Sequence, residues 1–518
     1  MTELDFFYDE IVCPYCHGKD LDGGVFSHKD VHFRMETYFE DEEDLNDEGK
    51  TLEQIRRMPE GPAKSKIQEQ VGRRYPFLCK PDDAYENFWT DFAGTTEEAY
   101  GIDKKELTVH PSQLPILDPS NELHRTALKP QRSTSSGDPR EDYFLYDGDG
   151  MVIGVEDIHG KRTYRRVCPS CHNPLPTGYG KFKTKFISII GVTNSGKTVY
   201  ISQLLKHMSK YVNNVDMDSY FTSDHEPSFI ESNPVRYGEA LPGPTMSKRL
   251  SQPMYYDLVQ NVGGDRLKTN TIVLYDIAGE NCATVKGMEK FGRFVTKSHG
   301  LILLLDPSQL GLAQTSVKKN EQTADLKAVL NTIHGAFKER KANDQLEIPM
   351  AVCISKSDMI PDTLPEGYHN SDVVAVLNSS SGEPMKQFNA TAYNPLEEAL
   401  ANQMRNGNGR EAHGALRRGY KHFNYFAFSA TGCAVEERDG LSYPVAPPIP
   451  LRIAEPLLWL FYKFGYIGSD RPIRLPVRRE YPKTVSEEVK GFLPFMKKTV
   501  ERPLTEQEKD RYWYEPST

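Results

Sequence analysis

The stretch GVTNSGKT at residues 191–198 constrains the fold of this chain more than any other sequence feature. It has the form G-x-x-x-x-G-K-[ST], in which glycines let backbone N–H groups converge on a phosphate at the start of a helix. Lys197 would reach the β- and γ-phosphates, and the hydroxyl of Thr198 would bind Mg²⁺. An apolar run precedes the loop and a helical pattern follows it, and this order predicts a phosphate-binding P-loop. The expected nucleotide contacts are Gly191, Asn194, Ser195, Gly196, Lys197, Thr198 and Val199.

Short apolar runs alternate with helical patterns from residue 183 to about residue 466. This alternation is typical of an α/β domain whose mostly parallel sheet is flanked by helices. The expected buried strands are KFISII at 185–190, NTIVLY at 270–275, GLILLL at 300–305, PMAVCI at 349–354 and YFAF at 425–428. The apolar segment at 454–467 is expected to form a helix packed on the same domain.

A second phosphate-side motif ends one of these expected strands. LYDIAGE contains D-x-x-G through Asp276 and Gly279, where the carboxylate would hold Mg²⁺ and the glycine amide would sense the γ-phosphate. Asp306 ends LILLLD and offers a competing carboxylate, because four apolar residues followed by Asp is the generic form of this motif. The sequence leaves both aspartates open as partners of Mg²⁺.

The segment ISKSD at 354–358 resembles the guanine-specificity motif [NT]KxD of Ras-like and translation-factor-related GTPases. By that resemblance Asp358 would accept hydrogen bonds from guanine N1 and N2, and Lys356 would lie over the base and sugar. Ser355 stands where Asn or Thr is usual, which weakens the guanine preference that the motif implies.

The segment FAFSATG at 426–432 resembles the loop that closes on the base in the same GTPases, through Ser429 and Ala430. With four motifs in this order, the resemblance implies a Ras-like P-loop GTPase domain that binds GTP or GDP with Mg²⁺. An ATPase of similar fold is the alternative if SKSD is only a polar turn.

Two departures from small GTPases concern hydrolysis. The long gap between the P-loop and Asp276 contains the Pro/Gly-rich segment 238–253, where Thr245 is the candidate switch threonine. Glu280 stands where Ras-like proteins carry a water-orienting glutamine, and a carboxylate there would repel a γ-phosphate. Glu280 would then act as a base, point away from the phosphate or leave intrinsic hydrolysis slow, and we expect slow or partner-activated turnover. The candidate residues for hydrolysis are Lys197, Thr245, Gly279 and Glu280.

Two CxxC pairs, Cys13 with Cys16 and Cys168 with Cys171, each offer half of a tetrahedral Zn²⁺ site. Together they predict one four-cysteine zinc ribbon that clamps a large insertion. Two separate zinc sites completed by His28 or His32 remain open, whereas a redox CxxC would not explain the duplication. His17 and His172, each beside a pair, could substitute as ligands but are interpreted as bystanders.

A zinc ribbon immediately before a P-loop strand, followed by GLILLLDP and EPLLWLFYKFG, resembles bacterial TRAFAC-clade GTPases related to the double-GTPases of prokaryotic conflict and defence systems. The resemblance implies a switch that works with other protein components of such a system. The expected regions are a zinc-ribbon region at 1–180 with knuckles at 13–16 and 168–171, a GTPase domain at 183–467 and an extended arm at 468–518. Within the first region, YFLYDGDGMVIGVEDIHGKRTYRRV predicts short strands joined by Asp-Gly and His-Gly turns.

Charge and hydropathy limit the partners that we expect. The net charge of −10 argues against a general nucleic-acid binder, and no apolar run is long enough to span a bilayer. The N-terminal residues lack the pattern of a signal peptide, so we expect a cytoplasmic protein. The sequence leaves the oligomeric state open, whether homo- or hetero-oligomer. A zinc-ribbon scaffold with a structural nucleotide site is the alternative to a GTP-hydrolysing switch.

Overall fold

The computed structural model describes residues 9–18, 21, 24–35, 58–59, 61–66, 82–93, 114–132, 137–158, 160–192, 194–223, 225–243, 252–261, 267–310, 312, 326–337, 345–360, 364–365, 368, 374–378, 384–407, 409–473, 484–490 and 497–503. Within these ranges, the helices are not long and apolar enough for any of them to cross a bilayer.

Two small antiparallel sheets form the N-terminal region. Its strands are β1 His32–Arg34, β2 Ile116–Leu117, β3 Phe144–Tyr146, β4 Val152–Glu156, β5 Arg162–Thr163 and β6 Arg166–Val167. Its helices are α1 Asp83–Ala93 and α2 Glu122–Arg125. The sheet orders are β2-β1-β6 and β3-β4-β5. The Asp147 N–H donates to the Met151 carbonyl at 2.9 Å across the β3–β4 turn, which confirms the predicted Asp-Gly hairpin.

A seven-stranded sheet is the centre of the following domain. The strands of this part of the chain are β7 Lys183–Gly191, β8 Met217–Phe221, β9 Met254–Asn261, β10 Leu267–Ala278, β11 Gly300–Leu305, β12 Met350–Ile354, β13 Val374–Asn378, β14 Pro384–Phe388 and β15 Phe423–Ala427. The order in the sheet is β15-β12-β11-β7-β10-β9-β8, and β13 and β14 form a separate hairpin. Within the sheet, the five neighbouring strands β15, β12, β11, β7 and β10 run parallel to one another. Strand β9 is antiparallel to both of its neighbours, β10 and β8.

Helices cover both faces of the sheet, which is why its central strands are apolar runs without alternation. The helices are α3 Lys197–Lys206, α4 Met208–Asn213, α5 His225–Ser232, α6 Gly279–Cys282, α7 Val285–Lys290, α8 Leu326–Ala336, α9 Ala390–Asn406, α10 Arg410–Gly419 and α11 Glu455–Lys463. Ile187 and Ile189 of β7 pack in the core with α3 and α11, whereas Phe186 and Ile190 face the core that contains α8 and the N-terminal region. The predicted α/β architecture and its five parallel strands are therefore confirmed.

The remaining elements of the described residues are two antiparallel hairpins and three short 3-10 turns. The hairpins pair β16 Val435–Arg438 with β17 Leu441–Pro444, and β18 Thr484–Lys490 with β19 Lys497–Pro503. The 3-10 turns are Glu141–Tyr143, Arg293–Lys297 and Ser357–Met359. The second of these turns follows α7, and the third begins one residue after Lys356.

Candidate nucleotide site and cysteine cluster

The four predicted nucleotide motifs lie at the carboxyl ends of parallel strands. The P-loop follows β7, the D-x-x-G segment ends β10, SKSD follows β12 and SATG follows β15. Because neighbouring parallel strands end at one edge of the sheet, these segments meet at the edge where open α/β sheets bind ligands.

The P-loop has the close packing that its glycines allow. A Cβ on Gly191 would lie 2.5 Å from the Ser195 hydroxyl and 2.8 Å from the Lys197 Cβ. Asn194 and Gly196 have φ angles of 65° and 69°, in the left-handed region, so the chain turns tightly before α3 begins at Lys197. Ser195, Lys197 and Thr198 are buried, and the lysine amine is directed towards the end of β10.

The D-x-x-G segment packs directly on the P-loop. A Cβ on Gly279 would lie 2.5 Å from the Gly191 carbonyl oxygen, so the two backbones are in contact only because residue 279 has no side chain. The Lys197 amine donates to the Asp276 carboxylate. Burial lowers the pKa of Lys197 to about 7, and the Glu280 carboxylate opposes that shift. Glu280, in the first turn of α6, is therefore electrostatically coupled to the P-loop lysine.

Asp306 is engaged in contacts of its own at the end of β11. One carboxylate oxygen accepts from the Ser308 N–H at 2.8 Å, and the other accepts from the Lys356 amine at 2.7 Å. Asp306 is only 3% exposed to solvent. Sequence reasoning missed this ion pair, in which Asp306 holds the lysine of the SKSD loop.

The SKSD loop presents a buried acceptor without a partner. Ser355 donates both its N–H and its hydroxyl to the Leu305 carbonyl, each at 2.9 Å, which fixes the start of the loop to β11. Lys356 has a φ of 50°, and its Cε lies 3.8 Å from the position of a Cβ on Gly196. The Oδ1 atom of Asp358 is buried and has no hydrogen-bond partner among the described residues. A buried carboxylate oxygen is costly unless a donor reaches it, so this atom marks a position for a hydrogen-bonding ligand.

The SATG loop is held by the segment that follows it. Ser429 exchanges backbone hydrogen bonds of 3.1 and 2.8 Å with Leu451, and its hydroxyl accepts from the Gly432 N–H at 2.8 Å. A Cβ on Gly432 would lie 1.8 Å from the Ile449 carbonyl oxygen, so only glycine fits there. Ala430 lies between these anchored positions. The structure thus brings Ser429 and Ala430 beside SKSD, because the Ser357 N–H donates to the Phe428 carbonyl at 3.0 Å.

Two further residues were predicted to belong to the nucleotide site, Thr245 and Val199. Thr245 lies outside the described residues, so the switch threonine stays a prediction. Val199 lies in the first turn of α3 and is buried.

The four cysteines of the two CxxC pairs come together in one cluster. The Cys13 and Cys171 sulfurs are 3.7 Å apart, as are those of Cys16 and Cys168, and all four lie within 4.8 Å of one another. A tetrahedral site with Zn–S bonds of about 2.3 Å has S···S edges of about 3.8 Å. The thiols are buried, and this donor set and its spacing fit zinc.

The histidines beside the cysteines have other contacts. His17 and His172 have φ angles of 50° and 51°, which shape the two knuckle turns. The His172 Nδ1 is 2.6 Å from the Asp82 carboxylate, which also accepts from Arg34. The His17 ring lies 5.1 Å from the Phe186 ring. Within the described residues, the cluster that could hold a metal is made of the four cysteines alone.

Sequence reasoning missed how the first knuckle contacts the sheet. The Tyr275 hydroxyl donates to the Pro14 carbonyl at 2.7 Å, and the Tyr275 ring stacks on Phe294 with centroids 4.5 Å apart. Arg293 donates to the Tyr15 carbonyl at 3.4 Å. The only available signal was alternation along β10, since the residue before Asp276 must face away from the phosphate side.

Comparison with known proteins gives one family match. Residues 185–411 match the model of the family described as Double-GTPase 2, a span that includes the P-loop, D-x-x-G and SKSD segments. No curated protein sequence matches this chain.

Similar solved structures include Era in complex with MgGDPNP and a piece of 16S ribosomal RNA, with 12% identity over 57% of this chain and 60% of Era, and a TM-score of 0.24. Era from Aquifex aeolicus bound to GDP and aluminium fluoride has 10% identity over 57% of this chain and 61% of that chain, with a TM-score of 0.23. The S. cerevisiae Ski7 GTPase-like domain bound to GDP and phosphate has 13% identity over 60% of this chain and 56% of that chain, with a TM-score of 0.26. This chain therefore spans less than two thirds of each of these proteins.

Proposed function

We propose that this protein, a P-loop GTPase related to the double-GTPase family, is a molecular switch that binds GTP, hydrolyses it slowly and regulates protein partners. The observation that carries the guanine assignment is the buried Oδ1 atom of Asp358, which has no hydrogen-bond partner among the described residues. Guanine presents two adjacent donors, N1–H and the N2 amine, to such a carboxylate, whereas adenine does not.

The phosphate end of the site is assigned to the P-loop and β10. The amides of residues 194–198 and the Lys197 amine would bind the phosphates. The Thr198 hydroxyl and the Asp276 carboxylate would hold Mg²⁺, which neutralises charge on the β- and γ-phosphate oxygens. Asp276 is favoured over Asp306, because Asp306 is 3% exposed and already accepts from Ser308 and Lys356.

The base end is assigned to the loops after β12 and β15. Lys356 would cover the base and sugar from its position beside Gly196, and the Ala430 amide would donate to guanine O6. Ser429 supports this loop through its bonds to Leu451 and Gly432. The Ser355 hydroxyl donates to the Leu305 carbonyl of β11 and is not available to the base. We therefore assign base selectivity to Asp358.

Slow turnover is assigned to Glu280. Its carboxylate is electrostatically coupled to Lys197 and would also lie near the γ-phosphate, where like charges repel. Gly279 is in contact with the Gly191 carbonyl and is the first residue of α6. A γ-phosphate that binds the Gly279 amide would therefore change the position of α6. Thr245 completes the proposed switch, and partner proteins of a bacterial conflict or defence system are the proposed receivers of the signal.

The test compares nucleotide binding by purified protein. We expect GTP and GDP to bind at least tenfold more tightly than ATP and ADP, with binding lost in Lys197→Ala. Asp358→Asn is the matched base-side control, because it keeps the size of the side chain and should weaken GTP without weakening ATP. Equal binding of both nucleotides would overturn the guanine assignment. Tight GTP binding without phosphate release, alone or with partners, would favour the scaffold alternative.

A further inference from the structure

The two base-recognition loops are joined by one buried tyrosine that no nucleotide motif contains. Tyr368 lies ten residues beyond Asp358 and is 3% exposed. Its hydroxyl is 2.9 Å from the Ser357 hydroxyl and 2.9 Å from the Ala427 carbonyl. Ser357 precedes the base-reading carboxylate, and Ala427 ends the strand that leads into SATG.

The Tyr368 hydroxyl is the donor in both contacts, to the Ser357 hydroxyl and to the Ala427 carbonyl. Its single proton therefore lies between two acceptors, one beside Asp358 and one at the end of β15. Burial raises the pKa of Tyr368 well above its usual value, so the phenol keeps its proton. The SKSD and SATG loops are thus linked through one oriented hydroxyl, besides their single backbone bond from Ser357 to Phe428.

A buried ion pair holds this tyrosine in place. The Arg452 guanidinium lies 5.2 Å from the centre of the Tyr368 ring and donates to the Tyr368 carbonyl at 3.4 Å. The same guanidinium donates to Glu455 at 3.1 Å, at the start of α11. Arg452 follows Leu451, the residue that exchanges both backbone bonds with Ser429. Tyr368 therefore has contacts to both loops and to the segment that supports the second.

We propose, on the basis of the proposed function, that Tyr368 is a positioning residue that sets guanine selectivity through Ser357 and Asp358. Asp358 has a buried oxygen without a partner among the described residues, so no side-chain contact to that atom aligns it. Its alignment depends on the backbone of its loop, and the Tyr368 hydroxyl fixes the residue immediately before it.

The experiment measures the ratio of the dissociation constants for IDP and GDP in the full chain. Hypoxanthine lacks the N2 amine of guanine, so this ratio reports the hydrogen bond from that amine to Asp358 and cancels the phosphate contacts. We expect Tyr368→Phe to lower the ratio by about tenfold, the equivalent of one charge-assisted hydrogen bond, while GDP still binds.

Tyr393→Phe is the matched control. The Tyr393 hydroxyl is buried and donates to the Tyr425 carbonyl at 2.9 Å, so it makes the same kind of bond to β15 two residues before Ala427. We expect this variant to lose a similar amount of thermal stability and to keep the IDP-to-GDP ratio of the unchanged protein. An unchanged ratio in Tyr368→Phe would overturn the proposal, as would an equal change in both variants.

A second variant covers the case in which Tyr368→Phe does not fold. Ser357→Ala removes the acceptor at the other end of the same contact, and its IDP-to-GDP ratio should fall in the same direction. An unchanged ratio in that variant would overturn the proposal. If the unchanged protein binds GDP no better than ADP, the proposed function fails and the role of Tyr368 fails with it. If it prefers GDP and only the variants behave unexpectedly, the role of Tyr368 alone fails.

Discussion

Single residues at the phosphate edge have little tolerance for change, because two backbones meet there without side chains between them. Gly279 lies against the Gly191 carbonyl, and Gly191 lies against Ser195. A buried amine and two carboxylates surround this contact. Shape and charge at the P-loop are therefore both set by residues 191, 197, 276, 279 and 280.

Gly279→Ala should separate the D-x-x-G segment from the P-loop. The added Cβ would lie 2.5 Å from the Gly191 carbonyl oxygen, and backbone cannot yield as a flexible side chain can. Overpacking of this kind costs about 1–3 kcal/mol, so we expect GTP affinity to fall by about tenfold or more in titration calorimetry. Gly335→Ala is the control, since a Cβ there meets nothing within 4 Å. Unchanged GTP binding in Gly279→Ala would contradict the packing described for this contact.

GTP binding should take up a proton above neutral pH. Burial lowers the pKa of Lys197 to about 7, so the amine loses its proton as the pH rises through that value. Phosphates favour the charged amine and raise its pKa again, so affinity should fall as the pH rises from about 7 to 9. Calorimetry in buffers of different ionisation enthalpy should detect uptake approaching one proton at about pH 8. Lys197→Arg, whose side chain stays charged, should show none. Equal uptake in both proteins would assign the proton to another group.

At the scale of elements, the two cysteine knuckles behave as one site although they belong to distant parts of the chain. Each knuckle is shaped by its own turn, and a backbone N–H supports one sulfur in each, from Tyr15 to Cys13 and from Ser170 to Cys168 at 3.4 Å. The two turns are related in form, but only a shared ion would bring four thiolates together without repulsion.

Purified protein should contain about one zinc ion per chain, a stoichiometry that four thiolate ligands imply. Cys13→Ala and Cys168→Ala should each abolish that zinc and lower the melting temperature, because metal binding contributes to the stability of the N-terminal region. Cys433→Ala is the control, since Cys433 is outside the cluster and its thiol donates to the Ala446 carbonyl at 3.4 Å. Zinc unchanged in the first two variants by elemental analysis would refute the ribbon.

The sequence predicted the elements whose signals are local. Uninterrupted apolar runs identify β7, β10, β11, β12 and β15, since both faces of those strands are buried. Strands β8 and β9 were not predicted. Strand β8 is the edge strand and has mostly exposed residues, and β9 beside it has the sequence MYYDLVQN, in which Asp257 interrupts the apolar run. Phosphate and base motifs were recognisable from short spacings. Tyr275 and Tyr368 were not, because their roles depend on contacts across long stretches of chain.

At the scale of the whole molecule, the cysteine cluster and the nucleotide edge share strand β10. Asp276 and the P-loop lie on one side of its end, while Tyr275 donates to Pro14 of the first knuckle on the other. Phe294 and Arg293, in the 3-10 turn after α7, contact Tyr275 and Tyr15. A displacement of the segment 279–292 would therefore move the 3-10 turn and, through its contacts with Tyr275 and Tyr15, the first knuckle.

Nucleotide and zinc should consequently stabilise each other. We expect a non-hydrolysable GTP analogue to raise the affinity for zinc by about fivefold in equilibrium competition with a chelator, and linkage requires zinc to strengthen GTP binding by the same factor. Tyr275→Phe should reduce this effect, because it removes the bond to Pro14 and keeps the ring. Tyr393→Phe again serves as the comparison. Identical zinc affinity with and without nucleotide in the unchanged protein would argue against any such linkage.

The contacts between the first knuckle and the rest of the molecule join residues that are far apart in the sequence, and this sets an order of events during synthesis. Cys13 and Cys171 are 158 residues apart, and Pro14 and Tyr275 are 261 residues apart. A ribosome adding about 5–20 residues per second needs roughly 13–50 seconds to make the second of those intervals. The first knuckle therefore leaves the ribosome as an incomplete half-site, which can complete a four-cysteine metal site only after the second knuckle has been made. Its contact with Tyr275 of the sheet forms later still, so the nascent chain exposes two thiols for much of its translation.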